Sequence, residues 1–152
     1  MNDSSATATL VGLVLLGAAL TFPAMLIFLL SRAAGWPVLA DRYPAPGERP
    51  RPLVRLGYGV FRGWIGYYGG LVVSADQRGL YLAAMPVVLS WCHPPIFIPW
   101  GDVQEIRPRK RLWATVYEIR TVGAPEVDMA LRDRTFAPVR RFAAEAKVPG
   151  SY

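Results

Sequence analysis

The stretch that decides the architecture runs from residue 6 to residue 30 and reads ATATLVGLVLLGAALTFPAMLIFLL. It has no charged residue, and its only hydroxyl groups belong to three threonines. As a helix it would be about 37 Å long, against a hydrocarbon core of about 30 Å. A buried soluble helix would carry a polar stripe, and a signal peptide would carry a basic leader, which residues 1–5 lack. We therefore predict a transmembrane helix over 6–30, with 1–5 as its leader.

The composition of the whole chain is that of a membrane protein with one small domain. Of its 152 residues, 53% are hydrophobic and 18% are charged, and the formal net charge is +6. These values exclude a disordered chain. One cysteine and one histidine exclude an internal disulfide and a zinc site made only of this chain's Cys and His. The sequence predicts no metal and no cofactor.

The charges that flank the span predict its orientation. The leader has no Lys or Arg, whereas residues 31–51 carry four arginines. The positive-inside rule places that flank in the cytoplasm and the N-terminus outside. Trp36 and Tyr43 are predicted to lie in the headgroup layer. Pro23 is predicted to kink the membrane helix because it cannot donate a helical hydrogen bond.

Residues 31–56 are predicted to be a connector and residues 57–148 a folded domain. The connector begins with a short amphipathic stretch and continues with four prolines, which favour extended backbone. It is therefore expected to act as a semi-rigid strap that holds the domain near the membrane.

Within residues 57–148, short apolar runs separated by turn formers predict an antiparallel meander of strands. A hairpin turn is expected around Asp76 and Gly79, and a proline-bounded strand is expected at an edge. The predicted strands cover residues 71–73, 80–82, 96–98, 112–122 and 126–132.

The chain is predicted to close with an amphipathic helix that covers the open end of the sheet. Thr135 is the expected N-cap, and residues 149–150 (Pro-Gly) end the helix. The predicted apolar face consists of Phe136, Val139, Phe142, Ala143 and Ala146.

A family resemblance rests on three stretches: GLYL at 79–82, HPPIFIPW at 93–100 and Asp102-Val103, followed by the terminal helix. Over residues 67–147 this series resembles bacterial pleckstrin-homology-like (GRAM-like) domains, here attached to a membrane anchor in a protein of unknown function. The resemblance implies a strongly bent antiparallel barrel or sandwich capped by the final helix. It confers no activity, because this fold serves mainly as a binding scaffold.

Two motifs resemble catalytic or cofactor sites but are predicted to be structural. Cys92 and His93 are adjacent, and adjacent side chains of an extended chain point to opposite faces. The glycine run GxGxxxG at 57–63 differs from the dinucleotide motif and has no βαβ unit around it. The chain is therefore predicted not to be an enzyme.

A basic run and an aromatic cluster are the candidate contact sites. The run consists of Arg107, Arg109, Lys110 and Arg111 and is predicted to be an exposed loop. The run could bind anionic lipid, bind an acidic partner protein, or be a solvated turn that binds nothing, and these three alternatives stay open. Nearby glutamates argue against binding to nucleic acid. The cluster consists of Phe61, Trp64, Tyr67 and Tyr68; it is expected to form core plus a rim, and Trp64 is a candidate contact with lipid or a partner.

Two functions from different classes fit these features. The first is a non-enzymatic accessory subunit of a bacterial inner-membrane complex, respiratory or photosynthetic, whose partners are integral membrane subunits and the bilayer. Small residues spaced four apart in the span, such as Ala8 and Gly12, would permit helix packing. The alternative is a free-standing anchored module that binds anionic lipid or a signalling partner through the basic run.

Overall fold

In the computed structural model, which describes residues 3–85, 91–111 and 113–151, a long apolar helix leads into a curled antiparallel sheet closed by a helix. Helix α1 covers Asp3–Ala34 and the short helix α2 covers Trp36–Arg42. Seven strands follow, and α3 (Asp133–Glu145) closes the chain. The strands are β1 (Val54–Phe61), β2 (Ile65–Ala75), β3 (Gly79–Ala84), β4 (Ile96–Pro99), β5 (Val103–Arg111), β6 (Ala114–Thr121) and β7 (Met129–Arg132).

Helix α1 is long enough and apolar enough to cross a bilayer. Its candidate span, Thr7–Ala34, has a mean hydropathy of 2.5, and none of its most apolar stretch is buried. The helix continues without a break through Pro23; the kink at this residue stays a prediction. It is longer than the predicted 6–30 because its last turn enters the domain.

The strands form one sheet in the order β4-β3-β2-β1-β7-β6-β5, curled into a half-barrel. The predicted mainly-β domain with a terminal helix is thus confirmed, and so is the hairpin, whose turn joins β2 to β3 at Asp76. Strand β7 is shorter than predicted. Val127 lies in the preceding turn, where its N–H donates to the carbonyl of Ala124 (3.1 Å).

Both edges of the sheet are partly covered. At β4, the N–H of Phe97 donates to the carbonyl of Tyr43 (2.9 Å). At β5, the N–H of Ile106 donates to the carbonyl of Pro149 (2.8 Å), and two residues further on Pro108 has no N–H to offer. These features limit pairing with another chain at the two edges.

Helix α3 packs on the sheet with a narrower face than predicted. Phe136, Val139 and Ala143 are buried, whereas Phe142 is half-buried and Ala146 is exposed. The predicted N-cap, Thr135, is also wrong. It lies inside the helix, and its hydroxyl accepts a hydrogen bond from the N–H of Tyr58 in β1 (2.8 Å). The helix thus bonds directly to the sheet.

The predicted connector over 31–56 is only partly separate from the domain. Nearly its first half comprises the end of α1 and all of α2, and its last residues begin β1. Only the proline-rich part between them has no helix or strand. The strap interpretation is therefore wrong for residues 31–43, because their apolar side chains are part of the domain core.

Candidate functional site

Helix α1 ends inside the folded domain. Ser31 and Ala34, in the last turn of α1, are buried, and the Ser31 hydroxyl donates to the carbonyl of Cys92 (2.7 Å). Gly35 then turns the chain with a φ of 76°, which favours glycine. A β-carbon at this position would lie 2.8 Å from Cγ2 of the buried Val127. The turn between α1 and α2 is thus packed tightly against the sheet domain.

Four rings pack together beside this turn, and we call them the junction cluster: Trp36, Phe61, Tyr67 and His93. The Trp36 ring lies 5.0–5.6 Å from the other three rings, measured between centroids. Its indole N–H donates to the carbonyl of Pro94 (2.8 Å). The cluster therefore joins α2, the β1–β2 hairpin and the segment before β4.

The position predicted for Trp36 and Tyr43 in the headgroup layer is wrong. Both side chains are buried, and the Tyr43 hydroxyl accepts a hydrogen bond from the N–H of Gly123 (2.8 Å). Nearness to a membrane span in sequence indicates depth, but it does not indicate which way a side chain points. Here α2 turns both rings into the domain, where their polar atoms find partners.

The histidine of the Cys92-His93 pair has a structural partner. His93 is 2% exposed, and its Nε2 lies 2.7 Å from the Tyr67 hydroxyl, with which it shares a hydrogen bond. Burial raises the pKa of Tyr67, so that its phenol stays protonated at neutral pH. Trp36 packs edge-on against the imidazole. These contacts hold the ring within the core of the domain.

The basic run is a strand and not the predicted loop. Arg107, Arg109, Lys110 and Arg111 lie on β5, paired with β6 in a continuous register from Glu105 to Arg111. Cross-strand attraction favours this pairing, since Arg109 forms an ion pair with Glu118 of β6 (3.0 Å). Arg107 pairs with Glu105 on its own strand (2.6 Å). The sequence pattern did not reveal these partners, because the register was unknown.

Strand alternation places three of these arginines on the outer face of the half-barrel. Arg107, Arg109 and Arg111 alternate with Ile106, which pairs with Ile119 in the core. The same face carries a groove of about 350 Å³ that is aromatic and basic. Its lining includes Tyr58, Tyr68, Arg111, Trp113, Val116 and Arg132.

The aromatic cluster of β1 and β2 divides as predicted into core and rim. Phe61 and Tyr67 are buried, whereas Trp64 and Tyr68 are 71% and 80% exposed. Trp64 and Tyr68 line a second groove, of about 400 Å³, together with Ile27 and Leu30 of α1. The side chain predicted as a contact site is therefore accessible and lies beside α1.

Two further exposed indoles escaped the sequence interpretation. Trp113 is 97% exposed and Trp91 is 67% exposed, although tryptophan is usually well buried. In the structure both precede strands; Trp113 falls inside the predicted strand 112–122, so the sequence pattern gave no signal for its exposure. Trp100 differs, because its ring is buried and its indole N–H donates to the carbonyl of Asp76 (2.8 Å).

Neither metal ligation nor similarity to known proteins assigns an activity. Within residues 3–85, 91–111 and 113–151, no three Cys, His, Asp or Glu side chains come together as metal ligands. Comparison with protein-family models, with curated proteins and with solved structures gives no match. The features on which a function can be argued are the rigid junction, the basic outer face and the exposed aromatic side chains.

Proposed function

We propose that the protein is a non-enzymatic accessory subunit of a larger membrane complex, with a bacterial respiratory or photosynthetic complex of the inner membrane as the candidate. In this proposal α1 packs at the edge of the complex, N-terminus outside, and the domain contacts a neighbouring subunit in the cytoplasm. The sequence resemblance to pleckstrin-homology-like domains agrees with a binding scaffold and stays part of the proposal.

The observation that supports this role is the rigid junction between the membrane helix and the domain. Ser31 is hydrogen-bonded to the segment before β4, and Trp36 packs against three further rings of the core. No flexible linker separates α1 from α2, which are joined through Gly35 alone. A domain held in this way keeps a fixed height and direction relative to the membrane, which suits a protein that braces a neighbour.

The surface of α1 is available for partner helices. A β-carbon at Gly12 or Gly17 would meet nothing within 4 Å in the described part of the chain. Small residues let two helix backbones approach closely, so these positions are the expected packing sites. The adjacent leucines and valines would face lipid or the same partners.

Purification from native membranes in a mild detergent tests the proposal. The tagged full chain should co-migrate with other membrane subunits at a fixed stoichiometry. Gly12→Leu or Gly17→Leu should weaken this association, whereas Leu15→Ile in the same helix should not. A lone monomer from membranes that hold the complete set of native proteins would contradict the subunit role.

The alternative, a free-standing module that binds anionic lipid or a signalling partner, is favoured by one observation. The outer face gathers five arginines (Arg107, Arg109, Arg111, Arg120 and Arg132), more than the three acidic residues that pair with them, Glu105, Glu118 and Asp128, can balance. Salt-sensitive binding of the purified monomer to anionic liposomes, without subunits that co-purify, would support this alternative.

A further inference from the structure

Four exposed aromatic side chains lie beside the end of α1 or share a groove with those that do, and we call them the aromatic rim: Trp64, Tyr68, Trp91 and Trp113. Three of the five tryptophans of the chain belong to this rim. The other two, Trp36 and Trp100, are buried with their indole N–H groups bonded to carbonyls. Two of the indoles are thus part of the core, whereas the three indoles of the rim stay exposed.

The membrane helix sets the depth of the first two rim residues. The uncharged stretch of α1 ends at Leu30, and the first charge after it is Arg32. Ile27 and Leu30, the last apolar turn, line one groove with Trp64 and Tyr68. When α1 spans a bilayer, that turn lies at the boundary between hydrocarbon and headgroups. Trp64 and Tyr68 then lie at the same depth.

The other two rim residues are connected to α1 or to Tyr68 through neighbouring residues and a shared groove. Trp91 precedes Cys92, whose carbonyl accepts the hydrogen bond from Ser31 at the end of α1. Trp113 shares the outer groove with Tyr68. Close to it, the Arg111 guanidinium donates to the carbonyl of Gly63 in the β1–β2 turn (2.7 Å). Trp91 therefore lies beside the end of α1, and Trp113 is linked to this end of the domain through the groove that it shares with Tyr68.

Arginines accompany the aromatic rim. Arg32 lies over the Phe28 ring at 5.0 Å on the last turns of α1. The Arg62 side chain passes so close to Gly35 that a β-carbon there would lie 2.9 Å from its Nε. Arg111 lies beside Trp113 in the outer groove. Aromatic rings at the headgroup layer with arginines beside them match an anionic membrane surface in shape and charge.

We infer that the aromatic rim, with Arg32, Arg62 and Arg111, lies in the headgroup layer of the membrane that α1 crosses, and that its partner is an anionic lipid surface. The turn between β2 and β3 is at the opposite end of β2 from Trp64, so this inference places it away from the lipid. The inference is independent of the subunit proposal, because it concerns the isolated chain in lipid.

Depth-dependent quenching tests it on the full chain in nanodiscs. Lipids brominated near the headgroup quench tryptophans that touch the bilayer boundary. Since three of five tryptophans are in the rim, emission should fall by roughly half relative to unbrominated lipid. The triple variant Trp64→Phe, Trp91→Phe and Trp113→Phe should lose nearly all of this quenching. Its two remaining tryptophans, which are buried, report whether the domain is folded.

A matched control separates lipid contact from general exposure. Adding Gln77→Trp to the triple variant places a single exposed indole in the β2–β3 turn. This indole should stay unquenched. Restoring Trp64 alone in the triple variant should bring the quenching back. Equal quenching at both positions, or none in the wild-type chain, would overturn the inference. In the latter case a second copy or a protein subunit would be the occupant of the rim. Quenching that is the same with and without phosphatidylglycerol would refute the role of the arginines.

Discussion

The turn between α1 and α2 gives a sharp test of the rigid junction through the variant Gly35→Ala. Gly35 has a φ of 76°, and a non-glycine residue in this region costs about 1–2 kcal/mol. The added methyl would lie 2.8 Å from Cγ2 of Val127, a buried side chain, so packing must shift at a cost of about 1–3 kcal/mol. The two effects together predict that the domain loses about 2–5 kcal/mol of unfolding free energy.

Urea unfolding of the full chain in detergent, followed by tryptophan fluorescence, measures this loss. With a slope of about 1.5 kcal/mol per molar urea, the midpoint should fall by about 1.3–3.3 M. Gly35→Asn separates the two contributions, because asparagine adopts this backbone region more easily but carries the same β-carbon. Gly101→Ala is the control, since a β-carbon there meets nothing within 4 Å in the described chain. Equal midpoints for Gly35→Ala and Gly101→Ala would refute the tight junction.

Three further predictions concern the sheet and its closing helix. Phe136→Ala should lower the free energy of unfolding in urea by about 3–5 kcal/mol, because its ring is fully buried and stacks on a tyrosine. Phe142→Ala should cost clearly less, because Phe142 is half-buried. Equal losses would contradict the packing of α3. Burial opposes ionisation of Asp76, but hydrogen bonds from the next turn residues outweigh it and hold its pKa below the ordinary value. The stabilisation that ionised Asp76 gives the domain should therefore be present above about pH 4 and be lost as the pH falls through the lowered pKa. Asp76→Asn should remove about 1 kcal/mol of it together with that acid dependence. Unfolding measured against pH tests both. Replacing Arg107 and Arg109 by Ser should change the free energy of unfolding by less than about 1 kcal/mol, because their ion pairs are exposed. Binding to anionic liposomes should fall if the outer face meets lipid. A large loss of stability would mean that β5 needs its charges to form.

The features that depend on local pattern were predictable from the sequence. The apolar run before Ser31, the turn residues Asp76 and Gly79, and the alternation around Met129 each specify an element through neighbouring residues alone. Periodicity and turn chemistry act within a few residues, so they can be interpreted without knowledge of the partner strands.

The features that depend on contacts between distant segments were not predictable. The basic run is a strand because it pairs with β6 along its length, with Glu118 among the residues opposite it, and the register of that pairing is a tertiary property. Similarly, whether each indole is buried depends on which carbonyl group its N–H can reach in the folded domain. Pro94 accepts from Trp36 across 58 positions in sequence, whereas Trp113, in the described structure, stays at the surface.

The sequence by itself determined that a long uncharged helix precedes a mainly-β domain with a terminal amphipathic helix, since hydropathy and periodicity are properties of single segments. Only the tertiary structure decided that this helix ends within the domain core, and that Trp36 turns inward while Trp64 faces outward. The physical reason is that burial is a competition for a limited interior. Its outcome depends on all the segments that pack together, and hydropathy along one segment does not contain that information.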